Sequence, residues 1–158
     1  IFLCENNGYA ISVPMNKQMA IESVAKRADS YGFPGVSVDG NNILEVYSAV
    51  REAVIRAEAG EGPTLVETRV TRYLPHTSED DDTMYRSREE VEEAKKSDPL
   101  ILFRDYLLSN GMLTLDSDAD LLKKAKSEVN TATDEGDAAP YPRGETLYDH
   151  VYGPTEAL

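Results

Sequence analysis

Cys4-Glu5-Asn6-Asn7-Gly8-Tyr9-Ala10-Ile11-Ser12 directly follows the apolar run Ile1-Phe2-Leu3. A short buried strand that ends in polar residues is typical of an open α/β sheet, where ligands bind at the carboxyl ends of the strands. Asn6 and Asn7 offer neutral oxygens there, and Gly8 permits a tight turn or the close approach of a ligand. Mg²⁺ prefers oxygen ligands and often shares them with a phosphate. The stretch is therefore a candidate site for a metal-bound diphosphate, although the same residues also form ordinary turns.

The residues up to 72 alternate between patterns typical of strands and of helices. Strands are predicted at 1–4, 36–38 and 64–70, and helices at 19–31 and from about residue 42 to Gly60, with an irregular segment at 13–18. The second helix carries an apolar stripe of Val46, Tyr47, Val50, Val54 and Ile55. Asn42 with Glu45 resembles a capping box, and Asn41 is the alternative cap. This order predicts an α/β fold whose parallel sheet is covered by helices.

The chain changes character after residue 72. A polar loop at 73–86 contains His76 and three consecutive aspartates, and Arg86 is expected to pair with Asp80 or Asp81 and hold the loop in one ordered form. From residue 87 the pattern is mainly helical. Helices are predicted after the capping box Ser87-Arg88-Glu89-Glu90, from Pro99 to Gly111 and from Ser117 to Thr133. A tail follows at 136–158. It contains three prolines and four apolar residues: Pro140, Pro142, Pro154, Leu147, Tyr148, Val151 and Tyr152.

The composition excludes several classes of function. The 158 residues suffice for one medium domain, and 29 acidic against 16 basic residues give a net charge of −13, which argues against a nucleic-acid or anionic membrane partner. No apolar run approaches the roughly 20 residues that span a bilayer. The single cysteine, Cys4, cannot form an internal disulfide, which favours a reducing compartment. The chain begins inside a strand-like run rather than with methionine, so we expect it to be a piece of a longer protein.

The motifs of the chain occur in a family-specific order. After the stretch at 4–12 come Val38-Asp39-Gly40-Asn41, Gly62-Pro63-Thr64-Leu65-Val66-Glu67, Tyr85-Arg86-Ser87 and Lys96-Ser97-Asp98-Pro99. This order resembles the alpha subunit of the thiamine-diphosphate-dependent 2-oxoacid dehydrogenases, the decarboxylating components of the pyruvate, branched-chain and acetoin dehydrogenase complexes. The loop at 74–82 and the run at 9–14 look most like the branched-chain enzymes. The resemblance implies the C-terminal half of a parallel-sheet thiamine-diphosphate-binding fold at 1–72, an active-site loop at 73–86, and a helical region with a tail at 87–158.

The resemblance also implies roles for four residues. In the family, Mg²⁺ bridges the cofactor diphosphate and is held by the second asparagine and by a backbone carbonyl two residues later, which match Asn7 and Tyr9. Ile11 matches a position that lines the cofactor site near the aminopyrimidine, although an ordinary apolar core residue would also suit it. His76 matches the catalytic loop histidine that approaches the diphosphate, while His150 in the tail has no such match.

The family's Gly-Asp-Gly motif does not occur in this chain. We therefore expect the metal-binding aspartate to lie before Ile1, and the chain alone to bind cofactor poorly and to lack activity. The family's activating glutamate belongs to the beta subunit, with which the alpha subunit forms a heterotetramer. The implied reaction is oxidative decarboxylation of a branched-chain 2-oxoacid, with the acyl unit passed to the lipoyl groups of an acyltransferase core.

Two alternatives remain open at this stage. One is another thiamine-diphosphate enzyme of the same fold, such as a transketolase-like protein, against which the loop at 73–86 argues. The other is a non-catalytic assembly module that keeps the fold, against which Asn7 and His76 argue. Thr77 stands where mitochondrial relatives carry a regulatory phosphoserine, and a phosphate there would repel the neighbouring acids. Thr77 and the aspartates at 80–82 favour a bacterial cytoplasm over a mitochondrial matrix.

Overall fold

The computed structural model describes residues 1–151 in two compact units, the first at 1–112 and the second beginning at Leu113. The strands are β1 Phe2–Asn6, β2 Tyr9–Ala10, β3 Val13–Pro14, β4 Gly35–Asp39 and β5 Leu65–Arg69. The helices are α1 Met15–Gln18, α2 Ala28–Tyr31, α3 Ile43–Glu58, α4 Arg88–Lys95, α5 Pro99–Ser109 and α6 Leu115–Ala138, with 3₁₀ helices at Val24–Arg27, Asp82–Met84 and Gly144–Tyr148.

The first unit is built on a three-stranded parallel sheet in the order β1-β5-β4. Asn6 and Asp39 both lie in register with Arg69, so the carboxyl ends of the three strands meet at one edge. The short strands β2 and β3 form an antiparallel pair that follows β1 directly. The predicted parallel sheet is thus confirmed, and the long segments between the three strands supply the crossover connections that parallel pairing requires.

Small side chains bring α3 close to the sheet. Ala49 and Ala53 of α3 are buried against Val66 of β5, with partly buried Val36, Val38 and Val50 around them. The apolar stripe that we expected on α3 is therefore displaced around the helix. Tyr47 and Ile55 were placed in that stripe but are 64% and 54% exposed. A helix face repeats every three to four residues, and here alanines occupy the buried positions, which a pattern built on large side chains overlooks.

The helix expected at 19–31 is only partly present. Residues 19–23 are not helical, and the 3₁₀ helix Val24–Arg27 and α2 share the remainder. Ser23 has extended backbone geometry, and its side chain accepts a hydrogen bond from the amide of Ala25, so the serine begins a new helix instead of continuing one. Gly32 ends α2 with φ 78°, as expected for a left-handed C-terminal residue.

Side-chain caps fix the starts of the longer helices. Asn42, not Asn41, caps α3 and accepts from the amides of Leu44 and Glu45. Its carboxamide in turn donates to the Glu45 carboxylate at 2.9 Å. Ser87 caps α4, as predicted. In α5 the first residue is proline, and Asp98 caps the helix, which satisfies amides that would otherwise lack partners.

The second unit begins with one long helix, α6. Thr114 caps α6 in a capping box with Ser117, so the helix starts earlier than the predicted Ser117 and continues to Ala138, beyond the predicted Thr133. His150 lies after the last 3₁₀ helix, with φ 63°. Tyr152 and Pro154 of the expected tail lie outside the described residues. Within residues 1–151, no helix has the length and apolar character needed to cross a bilayer.

Candidate functional site

Two successive asparagine turns form the carboxyl end of β1. The Asn6 side-chain oxygen accepts a hydrogen bond from the amide of Gly8 at 2.9 Å, and the Asn7 side-chain oxygen accepts one from the amide of Tyr9 at 3.1 Å. Gly8 has φ 79°, a left-handed conformation that costs glycine little. The chain thereby turns into the pair of β2 and β3, and both side-chain acceptors of the turn are neutral amide oxygens.

The oxygens at this turn suit a hard cation. Asn7 lines an open cavity of about 290 Å³ together with Asn6, Gly8, Met15, Glu22, Glu67, Arg69 and Val70. Among residues 1–151, no group of three or more histidine, cysteine, aspartate or glutamate side chains is arranged to hold a metal ion. The turn therefore offers a few neutral oxygens, which fit Mg²⁺ only as part of a shell that a phosphate, water or further residues complete.

Ile11 connects the turn to the polar loop through its backbone. Its φ is 60°, and its carbonyl accepts a hydrogen bond from Nη2 of Arg72 at 2.8 Å. Left-handed geometry is strained for a β-branched residue, so the bond to Arg72 helps to hold it. The Ile11 side chain is 57% exposed, so the expectation of an ordinary core residue does not hold in this chain.

Arg72 is the centre of the loop network. Besides Ile11, its guanidinium donates to the Tyr85 hydroxyl at 3.0 Å, and Nη1 lies 3.4 Å from Nδ1 of His76. Arginine can only donate, so Nδ1 of His76 acts as the acceptor in this contact, and the proton of a neutral ring lies on Nε2.

Asp80 accepts hydrogen bonds from two residues of the same network. Its Oδ2 accepts hydrogen bonds from the Tyr85 hydroxyl at 2.5 Å and from the His76 amide at 2.9 Å. These two bonds lower the pKa of the Asp80 carboxyl. Burial of the phenol and the bond to Asp80 raise the pKa of Tyr85. Both shifts favour the same state, in which an ionised Asp80 accepts from a neutral Tyr85.

Arg86 holds the first residues of the loop through side-chain contacts. It is buried, and its guanidinium forms an ion pair with Asp82 and donates to the carbonyls of Arg72 and Leu74. The expected pairing with Asp80 or Asp81 is therefore wrong. The 3₁₀ helix Asp82–Met84 brings Asp82 to the side of Arg86, four residues on, while Asp81 caps that helix by accepting from the amide of Thr83.

Tyr9 joins the turn after β1 to the loop and to α4. Its ring lies 5.7 Å from the ring of Tyr85, and its hydroxyl lies 3.2 Å from the Glu90 carboxylate. Burial and the Glu90 carboxylate raise the pKa of Tyr9, so its phenol remains a donor at neutral pH.

The structure thus connects the four sequence-predicted residues. Tyr9, Ile11 and His76 meet through Arg72 and Tyr85, and Asn7 accepts from the amide of Tyr9 in the turn before them. The sequence interpretation did not assign a role to Arg72. Its signal was present, because a basic side chain two residues after a strand end and just before a polar loop lies at the edge where ligands of an α/β sheet bind.

Comparison with known proteins gives consistent matches. The family model described as dehydrogenase E1 component matches residues 1–145. The chain is 55% identical over 152 residues to the 2-oxoisovalerate dehydrogenase subunit alpha of Bacillus subtilis, which covers 96% of this chain and 46% of that protein. It is 46% identical over 153 residues to the pyruvate dehydrogenase E1 component subunit alpha of Staphylococcus epidermidis and to that of Staphylococcus aureus, covering 96% of this chain and 41% of each relative. The chain therefore spans less than half the length of these curated relatives.

Proposed function

This chain belongs to the dehydrogenase E1 component family, and from this premise we propose that it forms part of the alpha subunit of a thiamine-diphosphate-dependent 2-oxoacid dehydrogenase. The observation that carries the proposal is the Arg72 guanidinium, which joins the Ile11 carbonyl to His76 and Tyr85. One side chain thereby links the turn after β1 to the loop at 73–86, at the sheet edge where α/β proteins bind ligands.

Asn7 and Tyr9 are the proposed metal ligands. The Asn7 side-chain oxygen and the Tyr9 carbonyl would hold Mg²⁺, and the cofactor diphosphate and an aspartate from the remainder of the protein would complete the shell. Mg²⁺ binds proteins through a few oxygens and keeps phosphate and water as its other ligands. The neutral donors of this turn agree with that division, since a diphosphate brings the negative charge itself.

His76 is the proposed catalytic residue that meets the cofactor. With Nδ1 accepting from Arg72, Nε2 carries the proton of the neutral ring and would donate a hydrogen bond to an anionic oxygen. The amide of His76 donates to Asp80, which holds the backbone of His76 within the loop. Thiamine diphosphate, when bound, supplies the carbon nucleophile and the electron sink for decarboxylation. Ile11 would line the cofactor site and help to exclude water from it.

A branched-chain 2-oxoacid is the proposed substrate, with the acyl unit delivered to a lipoyl group of an acyltransferase core. Two facts support it: the relative from Bacillus subtilis is named for 2-oxoisovalerate, and its identity of 55% exceeds the 46% of the pyruvate relatives from the two Staphylococcus species.

A beta subunit is the proposed partner, in a heterotetramer. The chain leaves much apolar surface exposed, including Phe2 at 56% and Leu3 at 57% on the edge strand β1. Exposed apolar surface of this extent is typical of chains that are covered by other parts of an assembly. A non-catalytic assembly module would expose the same surface, and it is the alternative that must be tested.

The test uses the complete natural protein with its beta subunit. We expect Mg²⁺-dependent binding of thiamine diphosphate in calorimetry, and faster decarboxylation of 2-oxoisovalerate than of pyruvate. His76→Ala should lower the decarboxylation rate by about 100-fold, the range for loss of one preorganised hydrogen-bond donor, whereas Ser78→Ala in the same loop should keep it. If the wild-type protein binds no thiamine diphosphate in the presence of Mg²⁺, the assembly module is the better description.

A further inference from the structure

Glu67 is a buried carboxylate for which the proposed chemistry has no use. It lies on β5, the central strand of the sheet, and only 1% of its surface is exposed. A charged group removed from water is costly unless hydrogen bonds compensate it. The donors that surround Glu67 therefore indicate what this side chain does.

Four donors converge on the Glu67 carboxylate. Oε1 accepts from Nδ2 of Asn6 at 2.6 Å and from the amide of Val24 at 3.0 Å. Oε2 accepts from the hydroxyl of Ser23 and from the amide of Ala25 at 3.3 Å. Burial alone would raise the pKa of the Glu67 carboxyl, but these hydrogen bonds outweigh it and lower the pKa to about 2. The group is therefore an anion that only accepts hydrogen bonds.

The bonds hold the end of β1 and the segment from Ser23 to Ala25 against Glu67 on β5. Asn6 is the last residue of β1, and Ser23 to Ala25 form the start of the 3₁₀ helix. That helix lies directly on the sheet at Gly35, where an added Cβ would stand 2.0 Å from the Ala25 carbonyl oxygen. Glycine at this position permits the close approach that lets the amides of Val24 and Ala25 reach Glu67.

An ionised Glu67 also decides which way the Asn6 carboxamide faces. Because the carboxylate has no proton to donate, the NH₂ group of Asn6 must point to it. The oxygen of the same carboxamide then points the other way, where it accepts from the amide of Gly8 at 2.9 Å. Glu67 thus fixes the hydrogen bond that shapes the turn containing Asn7.

We propose that Glu67 is a positioning residue for the diphosphate-metal site, acting through Asn6 to hold the turn from which Asn7 and Tyr9 present their oxygens. This inference rests on the proposed function for the identity of the ligand. The hydrogen bonds that Asn6 donates to Glu67 and accepts from the amide of Gly8 are independent of it. Both carboxylate oxygens of Glu67 accept from donors of the chain itself, so the contribution proposed for Glu67 lies in the geometry of the turn.

Glu67→Gln in the complete natural protein with its partner subunit tests the inference. Glutamine keeps the size of the side chain but can meet Asn6 with an NH₂ group, which allows the Asn6 carboxamide to turn over. We expect the Kd for Mg²⁺ and thiamine diphosphate, measured by calorimetry, to rise about 10- to 100-fold, as is usual when a group that orients a metal ligand is lost. Hydrogen exchange at the Gly8 amide should accelerate in the same variant without any ligand.

Two control variants separate positioning from general loss of stability. Ser23→Ala removes a donor from the other carboxylate oxygen and keeps the link to Asn6, so it should leave the Kd and the Gly8 exchange unchanged. Val66→Ala makes a cavity on the opposite face of β5, where Val66 packs against Ala49 and Ala53. It should lower the unfolding temperature without weakening ligand binding. A loss of affinity in Val66→Ala equal to that in Glu67→Gln would overturn the proposal.

Asn6→Ala covers the case in which Glu67→Gln does not fold. It removes the same link from the other end and leaves Glu67 with its donors from the 3₁₀ helix, so it should reproduce the loss of affinity. Wild-type affinity in Asn6→Ala overturns the inference.

If the wild-type protein binds no thiamine diphosphate, the proposed function fails instead. The inference about Glu67 is then decided by Gly8 exchange in Glu67→Gln, with an unchanged rate counting against it.

Discussion

Arg86 forms an ion pair with Asp82 in which the arginine side chain is 3% exposed and the aspartate side chain 20%. The same guanidinium donates to the carbonyls of Arg72, Tyr73 and Leu74. One buried cation thereby satisfies three backbone oxygens that precede His76. Loss of this side chain would leave these carbonyls and the partly buried Asp82 carboxylate without the donor that they share.

Arg86→Ala should lower the free energy of unfolding by about 2–4 kcal/mol, because it leaves a partly buried carboxylate and several carbonyls without their donor. Urea unfolding followed by circular dichroism measures this change. Arg88→Ala, at an exposed position two residues further on, should change the stability by about 0.5 kcal/mol or less. Equal losses in the two variants would contradict the role given to Arg86.

Tyr85→Phe should loosen the part of the loop that carries His76. The substitution removes the hydroxyl that stands between Arg72 and Asp80, while the ring contact with Tyr9 can remain. We expect faster hydrogen exchange at the His76 amide, because its acceptor Asp80 loses the group that orients it. Tyr47→Phe on the exposed side of α3 is the matched control. An unchanged exchange rate at His76 in Tyr85→Phe would show that the Tyr85 hydroxyl is not needed to hold Asp80 against the His76 amide.

Local signals predicted much of this fold. The parallel sheet follows from apolar runs of strand length separated by helical segments. The caps Asn42 and Ser87 could be identified because a capping side chain bonds to amides two or three residues away. The turn after β1 was likewise visible, since each of its asparagines bonds to the second residue after it.

Interactions between distant segments were not accessible in the same way. The helix expected at 19–31 begins only after Ser23, whose side chain bonds to Glu67, 44 positions away, and no local pattern encodes that contact. The choice of Asp82 over Asp80 for Arg86 depends on a single 3₁₀ turn within a run of aspartates. Arg72 was missed because its importance lies in reaching Ile11, 61 positions earlier. Sequence patterns therefore predicted the turn after β1 and the polar loop but not the side chains that connect them.

Gly35→Ala should destabilise the first unit by about 1–3 kcal/mol, the usual cost of forcing an extra methyl group into a packed contact. Its Cβ would meet the carbonyl carbon of Ala25 at 2.8 Å and the Cβ of Ala28 at 3.0 Å, so the 3₁₀ helix would have to move off the sheet. Gly136→Ala is the control, because nothing lies within 4 Å of its added Cβ in α6. That change should raise stability by up to about 1 kcal/mol. Thermal unfolding of both variants measures the contrast.

The buried Glu67 carboxylate makes a definite prediction about acid. Its pKa is lowered from 4.5 to about 2, so the folded state binds this proton less readily than the unfolded state does. Stability contributed by Glu67 is therefore complete above about pH 5 and is lost as the pH falls toward 2. Its full size is about 3 kcal/mol, since one pKa unit corresponds to about 1.4 kcal/mol.

Urea unfolding between pH 7 and pH 2.5 checks this linkage. Glu67→Gln should be less stable than the wild type at neutral pH, and the difference should shrink as the pH falls, because the glutamine cannot be protonated in this range. Glu58→Gln, at an exposed position of α3, is the control and should follow the wild-type profile. Should the difference between Glu67→Gln and the wild type stay constant down to pH 2.5, the glutamate acts through its shape alone. The hydrogen bonds from Asn6, Ser23, Val24 and Ala25 would then not depend on its charge.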